Sequence, residues 1–275
     1  YVSDASGAYK TDVDGNRYVD YFGGHGALLL GHARPEVTEA AQTALSHGTQ
    51  YGASHEPEVR WGEVEHLDST GAGGTIGPGD VQWMTAGRGI LHREFHSHAF
   101  TRTGGAFEMV QLWVNLPAAD KGAEPGYQTL TDASIPGTTL GDGVGRARVI
   151  AGSFGGSAGP ARTRTPMNVV DLRLAAGRSA RLPLTDGWTS ILVVLHGPVL
   201  VNGEHVLRDA RAARLDRDGE AVSIEADADA TLLLLEGEPI DEPIAAYGPF
   251  VMNTQDEIRE ALTDFRAGRF GRLAG

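Results

Sequence analysis

Beyond Gly62 the chain is written mostly in short segments where apolar and polar residues alternate, a period of two that predicts β-strands. In NVVDLRL, Val170, Leu172 and Leu174 alternate with Asp171 and Arg173, so one face is expected to be buried and the other wet. ILVVL from Ile191 and TLLLLEG around Leu232 are apolar runs of strand length. Between these runs stand turn signals. GPGD at Gly77 to Asp80 predicts a turn ahead of VQWM, and Asn202-Gly203 inside VLVNGEHV predicts a hairpin. Residues from about 160 to 240 therefore read as a second β-unit following a first, which suggests two sandwiches or barrels. GSFGGSAG, Gly152 to Gly159, reads as a flexible loop.

Helical spacing surfaces in two places. Pro35 opens a stretch where Val37, Ala40, Ala41, Ala44 and Leu45 recur at helical intervals, and Gly48 stops it. Near the end, Thr254 and Glu257 form a capping-box pattern, Ile258, Ala261, Leu262 and Phe265 make an apolar stripe, and Gly268 closes it. At the other end GAYKTDVDGNRYVDYF carries an Asp14-Gly15 hairpin signal.

Composition narrows the function classes. With 275 residues, 41% of them hydrophobic, the chain can bury a substantial core. Its 23 basic and 36 acidic residues provide no basic field for nucleic acid or anionic lipid, and its apolar runs are too short to cross a bilayer. Neither nucleic acid nor membrane is an expected partner. No basic-then-apolar leader opens the chain, so a cytoplasmic location is the expectation. The absence of cysteine excludes disulfides and thiolate ligands, leaving His, Asp and Glu for any metal site.

GRGILHREFHSH, Gly87 to His98, places His92, Glu94, His96 and His98 at alternate positions. On a strand, residues i and i+2 project to the same face, and imidazole with carboxylate suits Fe(II). His92 and Glu94 form the candidate pair. In extended chain His92 and His98 would lie about 20 Å apart at ~3.3 Å per residue, so His98 joins them only if the chain bends sharply. His96 reads as a solvated loop histidine. His55 and His66 are further candidates, with His66, in an expected strand, favoured as an ordinary satisfied histidine. Trp83, Met84 and Trp113 read as core. The glycines around Arg88 read as a tight turn, since no helix follows to make a phosphate loop.

Over about residues 62–272 the chain resembles the pirin family of two-barrel cupin proteins, through GPGDVQWMTAGRGILHREF, EMVQLWVNLPAADK, GWTSILVVLHG and YGPFVMNTQDEIREALTDFRAGRFG. The resemblance implies a mainly β fold, a pair of cupin barrels (double-stranded β-helices) with a C-terminal helix. It implies one Fe(II) in the N-terminal barrel and none in the C-terminal one. It also implies either dioxygen-dependent opening of flavonols, the quercetin 2,3-dioxygenase reaction, or a regulatory role with a protein partner.

The family holds its iron with three histidines and a glutamate, the first two in a His-Pro-His-Arg-Gly stretch and the others as His-x-Glu. His92 and Glu94 match the second pair, and the resemblance makes Glu94 both a metal ligand and the group that takes the substrate proton. The first pair is missing: an ungapped count backwards sets its positions at Gly48 and Gln50, with His47 one residue out of register. Upstream, GAYKTDVDGNRYVDYFGGHGALLLGHARPEVTEA and GTQYGASHEPEVR resemble the N-terminal segment of class III aminotransferases. The expected organisation is thus a short α/β segment over 1–61, an N-terminal cupin over 62–158 that lacks at least one strand, and a C-terminal cupin over 159–275. Pyridoxal phosphate is not an expected cofactor, because the only lysines are Lys10 and Lys121 and neither stands in a Schiff-base context. With only two family ligands left, weak iron binding and little flavonol turnover are expected.

Overall fold

The computed structural model describes residues 2–6, 9–12, 16–19 and 62–273. The chain divides into two units, 1–58 and 59–275. In the first, strands Val2–Ser6, Tyr9–Asp12 and Arg17–Val19 form an antiparallel sheet in that order. Tyr9 pairs with Val19 and Thr11 with Arg17, antiparallel strands on either side of the Asp14-Gly15 signal, which itself lies outside the described residues. The helix expected after Pro35, the segment holding His55, and positions 47, 48 and 50 lie outside the described residues.

The second unit is mainly β. In it a six-stranded antiparallel sheet, with strands drawn from residues 137–237, packs against a four-stranded one. The larger sheet runs in the order Arg211–Arg214, Thr189–His196, Ala230–Gly237, Met167–Leu174, Gly145–Ala151 and Gly137–Thr139. The smaller runs Arg178–Pro183, Ala221–Ala226, Val199–Val201, His205–Leu207. Leu234 lies opposite both Val170 and Leu192, and Leu232 opposite both Leu172 and Val194. These rows pack against Leu182, Val222 and Ile224 of the smaller sheet in one buried cluster. The Asn202-Gly203 turn has φ of 51° and 69°, a left-handed pair that lets Glu204 N–H donate to Val201 O in a three-residue loop closed by Val201 pairing with His205.

Two expectations about this region are corrected. The face of Met167–Leu174 expected to be wet is largely covered. Met167 and Val169 join Ile150, Leu130 and Ile135 in a second apolar cluster, and Asp171 is buried because it accepts a hydrogen bond from Arg148 at 2.8 Å. GSFGGSAG is not a flexible loop. Ser153–Phe154 pairs with Ser157–Ala158 across Gly155 and Gly156, whose φ of 55° and 80° close a tight hairpin.

The N-terminal part of the unit contributes a three-stranded sheet, Gly73–Ile76, Val64–Asp68 and His92–His96, and a two-stranded ladder of Val81–Thr85 with Gly126–Leu130. GPGD forms the expected turn, with Asp80 N–H donating to Gly77 O. Gly87 and Gly89 both take positive φ in the tight turn beside Arg88. Trp83 packs against the second apolar cluster as expected, but Trp113 does not: it is 66% exposed. The terminal helix, Gln255–Arg266, begins with the full reciprocal cap between Thr254 and Glu257.

Candidate metal centre

The centre is built by strand register. Val64–Asp68 and His92–His96 are antiparallel neighbours, with His66 opposite Glu94 and Asp68 opposite His92. Since alternate residues share a face, the pairing gathers His66, Asp68, His92 and Glu94 on one side of the sheet. From the two-stranded ladder come Gln82 and Tyr127. The Tyr127 ring stacks on that of His66 at 4.6 Å, with only 6° between the planes.

His66 Nδ1 lies 3.7 Å from Glu94 Oε1, and His92 Nδ1 lies 3.7 Å from the same oxygen. Among the described residues these three side chains form a group whose ligand atoms all lie within 4.8 Å of one another. His66 is fully buried, whereas Glu94 and His92 keep part of their side chains open to solvent. The Gln82 amide nitrogen sits 2.7 Å from both His66 Nδ1 and Glu94 Oε1. Its two hydrogens bridge the acceptors much as a cation would.

Behind His66 stands Asp68. Its Oδ2 lies 3.6 Å from His66 Nε2, and both side chains are fully buried. Its Oδ1 accepts from Thr70 N–H at 2.8 Å, Thr70 Oγ1 at 2.6 Å and Ala72 N–H at 3.1 Å. Burial works against the charged carboxylate, but the hydrogen bonds from Thr70 and Ala72, with His66 adjacent, outweigh it and hold the Asp68 pKa below its ordinary value. Asp68 Oδ2, His66 Nε2 and Gln82 Oε1 are buried with no hydrogen-bond partner.

These residues fit a metal ion. Ligands each about 2.1 Å from one ion lie at most about 4.2 Å apart; both 3.7 Å pairs meet that limit, and the group as a whole, within 4.8 Å, needs at most a small inward shift to share an ion. Of the sequence candidates, His92 and Glu94 come together as expected. His66, favoured as an ordinary satisfied histidine, instead joins them with an orphaned ring nitrogen, so three metal-capable side chains converge where the sequence pointed to two. His96 is not a loop residue: it ends the strand and packs against the rings of Phe100 and Phe107. His98 leaves the face because Ser97 caps a short helix, His98–Thr103. His196 lies outside the group, 2.7 Å from Glu108 Oε1.

The geometry can be set beside known proteins. The pirin family model matches residues 58–114, the pirin C-terminal cupin domain model residues 169–271, and the class-III aminotransferase model residues 1–69. The protein named "Putative quercetin 2,3-dioxygenase" of Pseudomonas aeruginosa is 52% identical over 245 residues, 88% of this chain and 85% of its own. Human pirin is 37% identical over 214 residues, covering 76% of this chain and 71% of its own. The solved structure of quercetin 2,3-dioxygenase from Acinetobacter baumannii superposes with a TM-score of 0.76 at 48% identity, covering 78% of this chain and 75% of that one. The fold is accordingly of the cupin type, and the chain belongs to the pirin family.

Proposed function

We propose that this chain is a metal-dependent dioxygenase of the quercetin 2,3-dioxygenase type, acting on flavonol-like molecules with Fe(II) held by His66, His92 and Glu94. One observation carries the reading: two imidazoles and one carboxylate converge on a partly open face, the donor set of non-haem Fe(II) oxygenases. When bound, Fe(II) would act as a Lewis acid that lowers the pKa of the flavonol hydroxyl and brings the substrate and dioxygen together. Glu94, partly exposed, takes the hydroxyl proton on its carboxylate. Tyr127, stacked on His66, and Gln82 keep the buried side of the site ordered and dry.

The division into an aminotransferase-like segment (1–61), an N-terminal cupin (62–158) and a C-terminal cupin (159–275) belongs to the same reading. Pyridoxal phosphate has no place in it. Lys121 is buried and donates to Asn115 Oδ1 and Val251 O, and burial pushes its amine below the ordinary lysine value despite Glu242 and Glu257 nearby. A cytoplasmic setting suits a chain without cysteine, and among the described residues no helix is long and apolar enough to cross a membrane.

The test is oxygen uptake and carbon monoxide release on quercetin after anaerobic loading with Fe(II). Turnover is expected in the native chain, with kcat lower by about 10²-fold or more in Glu94→Gln. Loaded protein that consumes no oxygen would favour a second reading, a regulatory cupin that binds another protein. That reading draws on the exposed apolar run Met109, Val110, Leu112, Trp113 and Val114.

A further inference from the structure

The hydrogen bonds around Gln82 bear on which nitrogen of neutral His66 carries the proton. Glu94 Oε1, a carboxylate oxygen, lies 2.7 Å from one end of the Gln82 amide. That end must be the NH2, because an amide oxygen there would face the carboxylate oxygen with no hydrogen between them. The same NH2 lies 2.7 Å from His66 Nδ1, so Nδ1 accepts that hydrogen bond through its lone pair and carries no proton. The proton of neutral His66 is therefore on Nε2, and Asp68 Oδ2 is the acceptor it faces.

We propose that Asp68 is a positioning residue of the centre: its Oδ2 holds the His66 proton on Nε2, so that Nδ1 is the nitrogen that ligates a divalent metal ion. The proposal rests on the reading that His66, His92 and Glu94 hold the ion. It accounts for two buried orphan atoms at once, since Asp68 Oδ2 and His66 Nε2 need only a small approach to become partners. It also assigns separate work to the two Asp68 oxygens. Oδ1 is saturated by the Thr70–Ala72 turn, which leaves Oδ2 for the histidine. A carboxylate behind a ligating imidazole fixes its orientation and raises its basicity.

Asp68→Asn separates these roles, because an Asn side-chain oxygen still accepts from the turn while its NH2 faces His66 Nε2 and favours the other tautomer. The experiment is a long-range 1H–15N correlation spectrum of the metal-free protein in both forms, followed by Zn(II) titration against a chromophoric chelator. The native chain is expected to show His66 protonated on Nε2. Asp68→Asn is expected to shift that tautomer and weaken Zn(II) binding about 10–100-fold with the fold intact by circular dichroism. A native His66 protonated on Nδ1 overturns the proposal, and this measurement needs no variant to fold. Equal Zn(II) affinity in both proteins overturns it too, while leaving the three-residue centre standing. Protonation on Nε2 with no Zn(II) bound by either protein instead overturns the centre itself, and Asp68's role in it.

Discussion

Arg148 and Arg88 make ion pairs of the same 2.8 Å length, and their surroundings decide what each is worth. Arg148 is buried between two oppositely charged partners, Asp171 and Asp132, and also donates to Gly79 O. Arg88 meets Glu124 with both side chains more than 60% exposed. Removing one partner of a buried pair strands the other in low dielectric, at a cost of about 3–5 kcal/mol, whereas an exposed pair contributes about 0–1 kcal/mol. Urea unfolding of Arg148→Ala and Arg88→Ala is expected to show that contrast; equal losses would contradict it. At the same scale, His92 and Glu94 were legible because ligands two residues apart share a strand face. His66 could be named only as a further candidate: His66-Leu67-Asp68 has the same alternate spacing, but its place opposite Glu94 depends on pairing between two strands distant in sequence. Asp68 was illegible for the same reason.

Where an element is closed by local chemistry, the sequence announced it. The Asn202-Gly203 hairpin, the GPGD turn and the Thr254–Glu257 cap each depend on residues within four positions of one another. The cap yields a prediction. Thr254 accepts from Glu257 N–H at 3.2 Å, and Glu257 Oε2 accepts from Thr254 N–H at 2.7 Å. Thr254→Ala is expected to cost about 1 kcal/mol, a fall in Tm of about 2–4 °C. The hydrogen bond from the Thr254 hydroxyl, with backbone N–H bonds from Thr254 and Asn253 and with Lys121 nearby, holds Glu257 below the ordinary value of 4.5 against the cost of burial. A depressed carboxylate pKa gives stability that is present above 4.5 and lost as pH falls through the folded-state value. The Tm gap between the native chain and Thr254→Ala should therefore narrow on acidification below that point. A gap that is constant from neutral to acid pH would show that Glu257 is not part of the cap's stabilisation. GSFGGSAG was misread because glycine-rich composition suits both linkers and the tightest hairpins, and only pairing across Gly155-Gly156 distinguishes them.

Across the whole molecule, alternation correctly announced strands but concealed what covers their second face. The six-stranded sheet buries one face against the four-stranded sheet and the other against Leu130, Ile135 and Trp83. A single alternating strand cannot reveal that second layer, because Asp171 reads as polar until Arg148 is seen opposite it. The central claim is the proposed one: in the N-terminal part of the same unit, His92 and Glu94 of the family's ligand pattern hold a metal together with His66, which that pattern does not include. It is tested most directly by elemental analysis of iron in protein expressed in iron-supplemented medium, for the native chain, His92→Ala and His66→Ala. The account predicts near-stoichiometric iron in the native chain and loss of it in both variants. Iron that persists in His66→Ala, or a native chain that holds none, would contradict it.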